Sequence, residues 1–170
     1  MQKLRFILNL IDMVNDKAGK IVSFLIVAMV AVVVYEVVMR YAFNAPTKWA
    51  NETTTFVFGI YIILAGGYAL FRGAHVNVDV VYGRFSPRTR AIIDVCTVGL
   101  FFFYVIVILW KGGQFGWKSL LNLETSGSPW NPPVYPFKLM IPLGAFLLLI
   151  QGVAKFARDL TTVITGSKSG

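Results

Sequence analysis

The chain has 170 residues, of which 56% are hydrophobic and 14% charged, and its formal net charge is +8. A soluble domain carries about 25% charged and about 45–50% apolar residues, so this composition excludes a soluble globular protein and a disordered chain. One cysteine and one histidine exclude an intrachain disulfide framework, a Cys-rich metal cage and bis-histidine haem ligation within the chain. In so apolar a chain the positive charge points to basic loops against anionic lipid, not to nucleic acid.

Residues 1–20 do not read as a cleavable signal. Lys3 and Arg5 precede apolar residues, but Asp12, Asn15, Asp16 and Lys17 interrupt the run and no small-residue cleavage site follows. Leu4, Ile7, Leu8, Ile11 and Val14 recur at helical spacing, which predicts a short amphipathic helix lying in the membrane interface. A helix that crosses about 30 Å of hydrocarbon needs roughly 20 mostly apolar residues. The first such run is 21–39, with Glu36 as its only charge.

The corner after it reads Arg40-Tyr-Ala-Phe-Asn-Ala-Pro-Thr-Lys-Trp49-Ala-Asn-Glu52. Glu36 and Arg40 stand one helical turn apart and can pair. That pair either fixes the end of the first span or meets a partner protein. Glu52 opens the second span, 53–70, where the helix dipole alone accounts for an acid. The next corner holds His75, Asn77 and Asp79 alternating with valines. A lone strand there has no sheet to join, so a turn and a short interfacial helix are expected, with His75 and Asp79 one turn apart. A structural corner, a partner contact and proton handling all stay open for that pair.

Ser86-Pro87 reads as an N-cap and first helical residue ahead of the third span, 91–110. The long loop 111–135 follows. Phe115, Trp117, Leu120, Leu121 and Leu123 have the spacing of a short surface helix, and Glu124-Thr-Ser126-Gly leads into the stiff stretch Pro129-Trp130-Asn-Pro-Pro. The fourth span is 136–154. Pro142 lies one turn inside it, where a bend is expected.

Four spans put both termini on one side. Eleven of the sixteen Lys and Arg residues fall on that side, so the positive-inside rule makes it the cytoplasm. The four tryptophans, Trp49, Trp110, Trp117 and Trp130, fall on the opposite side. The fold class expected is an all-α integral membrane protein: one domain of four transmembrane helices and short interfacial helices, both termini inside.

The sequence contains no HExxH, Walker, GxSxG or Cys-pair motif. No catalytic residue, cofactor or metal site is expected. Apart from Lys138 at the edge of the fourth span, only Glu36 and Asp94 are charged within the spans, whereas a transport path usually carries several polar groups and broken helices. A helper or scaffold subunit fits better than a complete transporter.

The corner motifs carry a resemblance. Arg40-Tyr-x-Phe-Asn-x-Pro with Trp49 and Glu52 is followed by Gly66-Gly67 and Arg72-Gly73-x-His75-x-x-x-Asp79. Ser86-Pro87-x-x-Arg90 comes next, and Glu124-x-Ser126 precedes Pro142-x-Gly144 and Gln151. In this order the chain resembles, over roughly residues 20–158, the small permease subunit of TRAP (tripartite ATP-independent periplasmic) transporters.

The resemblance implies a membrane-embedded stator without catalytic activity in the bacterial inner membrane. Its partners would be membrane lipids, a large permease subunit that holds substrate and sodium sites and moves as an elevator, and a periplasmic substrate-binding protein that docks from outside. Uptake of an organic acid-type solute is implied. The corner residues expected to serve structure or partner binding are Glu36, Arg40, Trp49, Glu52, His75, Asp79, Trp117, Glu124, Ser126 and Trp130. A small redox or enzyme subunit using His75 and Asp79, or a self-contained oligomeric channel or exporter, are the competing readings.

Overall fold

In hydrocarbon a backbone must satisfy its own N–H and C=O groups, so an apolar run closes on itself as a helix. The computed structural model describes residues 2–73, 85 and 87–165. Four helices contain nearly all of them: α1 (Gln2–Tyr41), α2 (Ala50–Phe71), α3 (Pro87–Leu121) and α4 (Tyr135–Thr165). Each is long and apolar enough to cross a membrane, with mean hydropathy of 2.7, 1.8, 1.8 and 1.9 in its most apolar stretch. Among the described residues there is no strand, only an isolated bridge between Thr125 and Pro133. The chain is an all-α, multi-pass membrane protein.

Two boundaries differ from those expected. The segment 1–20 is not a separate short helix, because it joins the first span without a break in the 40-residue α1. At 1.5 Å per residue α1 is about 60 Å long, twice the hydrocarbon thickness. The expected surface helix around Trp117 is instead the last turns of α3, which runs on to Leu121. Its glycines do not end it, because Gly112 and Gly116 face α4. A Cβ at Gly116 would sit 3.1 Å from the Lys138 carbonyl oxygen, and one at Gly112 would sit 2.6 Å from Ile141. Small residues four apart let two helices approach closely. At its other end α3 begins at Pro87, the position proline favours. Helix α4 passes through Pro142 uninterrupted.

In space the helices pair in the order α1, α2, α4, α3, and α1 touches α4 over a short stretch only. The centre is therefore the α2–α4 contact. There Gly144 lies against the Ile63 backbone, whose carbonyl carbon would be 2.9 Å from an added Cβ. One end of this layer, the terminal end, holds residues 2–20, 66–73 and 150–165. The opposite, corner end holds residues 36–55 and 115–140.

The buried centre is partly polar. Asn15 and Gln151 are 0% and 1% exposed, whereas Phe24, Leu100 and Phe103 stand 70–76% exposed on the outer faces of α1 and α3. Such an inversion suits a chain whose surroundings are as apolar as its surface. Asn15 Nδ2 donates to Gln151 Oε1 at 2.9 Å, and Gln151 Nε2 donates to Asp12 Oδ1 at 2.9 Å. Arg158 clasps Asp12 from α4 at 3.2 and 2.5 Å. Asp16 pairs with Arg72 at 3.0 Å and with Lys20 at 2.6 Å. The polar side of the N-terminal segment thus faces α2 and α4, not water. Gly67 makes room for it, since a Cβ there would collide with Asn15 Oδ1.

Interhelical hydrogen bonds in membranes are worth about 0.6 kcal/mol on average and up to about 1.7. A double-mutant cycle of Asn15→Leu and Gln151→Leu is expected to give a coupling energy in that range in thermal unfolding in detergent; strictly additive losses would exclude the bond. Gly144→Val is expected to cost about 1–3 kcal/mol or more, because backbone cannot yield as a flexible side chain does. Gly99→Ala, with open space at its Cβ, serves as the control and should be neutral or mildly stabilising. Equal melting of the two variants would rule out the close α2–α4 contact.

Candidate functional site

The corner end gathers eight of the ten residues singled out in the sequence. In the first corner, the Glu36 carboxylate accepts two hydrogen bonds from Arg40, at 3.0 and 2.5 Å. It also accepts the Thr47 backbone N–H at 3.0 Å and the Thr47 hydroxyl. The Thr47 hydroxyl oxygen in turn accepts the Ala50 N–H at 3.3 Å. Trp49 precedes α2 without a side-chain cap, so Thr47 satisfies the first turn in its place. Glu36 therefore ties the end of α1 to the start of α2, beyond a simple i,i+4 pair. Thr47 carried no functional signal in the sequence apart from its place next to Pro46. The Trp49 ring stacks on Tyr35 with centroids 5.8 Å apart, which closes the same corner.

The second corner is the loop 122–134. Three of its residues have a left-handed backbone, Leu123 (φ 45°), Gly127 (φ 71°) and Asn131 (φ 52°). The loop folds back on itself through Ser126 N–H to the Pro132 carbonyl at 3.0 Å and Val134 N–H to the Glu124 carbonyl at 2.9 Å. Its hub is Ser128, which the sequence reading missed. The Ser128 hydroxyl oxygen accepts the N–H groups of Trp130 at 3.2 Å and Asn131 at 2.9 Å, and the Ser126 hydroxyl at 2.9 Å. It donates to Glu52 at 2.7 Å. A Ser followed by Pro-x-Asn is a turn signal of this kind, but nothing local ties it to Glu52, 76 residues earlier. Glu52 thus anchors the loop to α2, besides sitting favourably at a helix N-terminus.

Glu124 accepts from Lys138 Nζ at 2.5 Å, and that ammonium lies 4.2 Å from the Phe115 ring centroid. The Lys138 hydrogen bond, with its positive charge, holds the Glu124 carboxyl below the usual carboxylate range. Loop 122–134 is thereby fastened to α2 by Glu52, to α4 by Glu124, and to the end of α3 by continuity. Trp117 is 59% and Trp130 42% exposed, so both rings face outward from these corners. His75 and Asp79 lie outside the described residues.

Between α2, α4 and this loop lies a cavity of about 390 Å³. Its mouth is formed by Glu52, Glu124, Ser126 and Lys138, and its depth by Phe56, Gly59, Ile60, Ile63 and Ile141. Phe56 and Phe137 stack along one wall with centroids 4.1 Å apart. Among the described residues no three His, Cys, Asp or Glu side chains converge as metal ligands.

An apolar helical layer with ion pairs gathered at its two ends is the architecture of a multi-pass membrane protein. The chain belongs to the DctQ component family of tripartite ATP-independent periplasmic transporters, whose family model matches residues 29–162. That family is a transporter component and not a family of enzymes. The chain is similar to the C4-dicarboxylate TRAP transporter small permease protein DctQ of Vibrio cholerae serotype O1, with 28% identity over 89 residues. That match spans 52% of this chain and 38% of the relative's length.

The lowered Glu124 value sets a pH dependence. A depressed carboxylate contributes stability that is full above its unfolded pKa and fades as pH falls through the lower folded value. Replacing the ammonium by Lys138→Met is expected to return Glu124 toward its ordinary range. The acid transition of the loop, followed by tryptophan fluorescence, should then move to higher pH than in the wild type. Identical transitions in the two proteins would remove the pair as the cause.

Proposed function

We propose that this chain is the stator of a sodium-coupled, binding-protein-dependent TRAP transporter. In this reading it sits in the bacterial inner membrane with both termini in the cytoplasm, and the corner end faces the periplasm. It supports a large permease subunit that carries the solute, and its periplasmic corners take part in docking the substrate-binding protein. The solute is an organic acid, in keeping with the C4-dicarboxylate in the name of the Vibrio cholerae relative.

The observation that supports this most is the distribution of charge. Among the described side chains, the ionic groups of α1, α2 and α4 stand at the two ends, and most are fixed by partners: Glu36–Arg40, Glu124–Lys138, Asp12–Arg158 and Asp16–Arg72. Between these ends the helices offer close-packed glycines and apolar side chains. A solute or sodium path needs polar groups near the midplane, so the moving substrate site belongs to another chain. The broad apolar faces of α1 and α3 leave room for that chain. The exposed Trp117 and Trp130 suit a docking surface, since tryptophan combines apolar area with a hydrogen-bond donor at interfaces.

Two measurements test the reading. The chain is expected to co-purify with a large permease in mild detergent or nanodiscs; failure to associate would overturn the stator role. The pair Trp117→Ala and Trp130→Ala is expected to lower uptake several-fold at limiting binding protein while leaving helicity and permease association intact. Unchanged uptake would remove both from the docking surface. Solute flux in vesicles that hold this chain alone would also contradict the proposal.

A further inference from the structure

The cavity between α2, α4 and loop 122–134 is amphiphilic along its length. Its α2 wall runs from Glu52 to Ile63, eleven residues or about 16 Å. That is close to half of the roughly 30 Å hydrocarbon thickness, the depth of one leaflet. Its volume of about 390 Å³ falls in the range of about 300–1,000 Å³ that suits a small-molecule site. The charged mouth lies at the corner end, beside the loop that carries Trp130, and tryptophan favours the headgroup layer. From there the lining turns apolar and ends at Ile63 and Ile141.

The mouth holds two carboxylates and one ammonium, a net charge of −1. Lys138 is held by Glu124. Ser128 fills one of about four acceptor positions that the Glu52 carboxylate offers. Glu52 thus presents an anionic acceptor at the mouth, and the Lys138 ammonium, with N–H groups beyond the one given to Glu124, presents a donor beside it. The complement of this pattern is a molecule with a donating cation, an adjacent anion and an apolar tail. Gly59 lies in the wall with nothing within 4 Å of its Cβ position, so the wall is open where the tail would pass.

We infer that this cavity is a site for a zwitterionic phospholipid with a primary ammonium headgroup, of the phosphatidylethanolamine class. The ammonium donates to Glu52, the phosphate lies toward Lys138, and one acyl chain runs down the α2 wall past Gly59. Such a lipid would join α2 to the 122–134 loop and brace the loop from its membrane side. A choline headgroup has the same charge but no N–H to donate. An anionic glycerol headgroup meets a mouth of its own sign.

Native mass spectrometry of the purified full-length chain, offered equal amounts of phosphatidylethanolamine, phosphatidylcholine and phosphatidylglycerol, tests this. The wild type is expected to retain phosphatidylethanolamine about tenfold over the other two, roughly the worth of one charge-assisted hydrogen bond. Glu52→Gln still accepts from Ser128 and is expected to bring the three lipids near parity. Gly59→Leu fills the wall and replaces glycine by a better helix former; it is expected to abolish retention of every headgroup with helicity and melting preserved. Equal retention of the three lipids by the wild type would overturn the proposal. So would an ethanolamine preference that survives both variants. If both variants keep the lipid but lose a co-purifying protein, the cavity receives a protein side chain and the lipid site is refuted.

Discussion

The bond between two buried amides, Asn15 on α1 and Gln151 on α4, sets the geometry of this molecule. In water an apolar helix is turned inward by the solvent. In lipid both faces are equally welcome, so packing and polar contacts must choose the rotation. Asn15, 0% exposed, bonds Gln151, which in turn bonds Asp12, itself gripped by Arg158. These contacts direct one stripe of α1 at α4, and Gly67 on α2 provides the gap that stripe enters. With α1 fixed in rotation, Glu36 at its other end faces Thr47, and Arg40 reaches the same carboxylate.

The two ends of the layer solve the same problem in different ways. At the terminal end, polar side chains are buried between helices and bond one another through Asn15 Nδ2, Gln151, Asp12 and Arg158, while Asn15 Oδ1 lies against Gly67 without a hydrogen bond. At the corner end, carboxylates reach loops: Glu36 holds the 42–49 corner through Thr47, and Glu52 holds the 122–134 loop through Ser128. The apolar middle is locked by glycines, with Gly144 on Ile63 and Gly112 and Gly116 on the start of α4. The result is a packed layer with formed corners, and α1 and α3 turn apolar outer faces away from its centre.

Much of this was legible in the chain itself. Four runs of apolar residues in 170, with almost no charge inside them, leave a membrane helix as the only way to satisfy the backbone. The Glu36–Arg40 pair followed from i,i+4 spacing, and the start of α3 from Pro87. The corner motifs pointed to the family that residues 29–162 match. Two boundaries misled, for one reason. Polar residues at 12–17 read as an interruption and the third span as ending at 110, yet Asp12, Asn15, Gly112 and Gly116 are contacts between helices.

The sequence by itself therefore determined the number of spans, their order and the residues at the corners, because these depend on hydrophobicity, turn chemistry and spacing within a few residues. Only the tertiary structure decided that Asp12 and Asn15 meet Gln151 and Arg158, that Ser128 meets Glu52, and that Glu124 meets Lys138 across a loop. The first two of these join residues 76 to 146 positions apart. A periodicity shows that a helix has a polar side but not which neighbour that side faces. In lipid, where no solvent distinguishes inside from outside, the packing of small residues against the facing helix makes that choice.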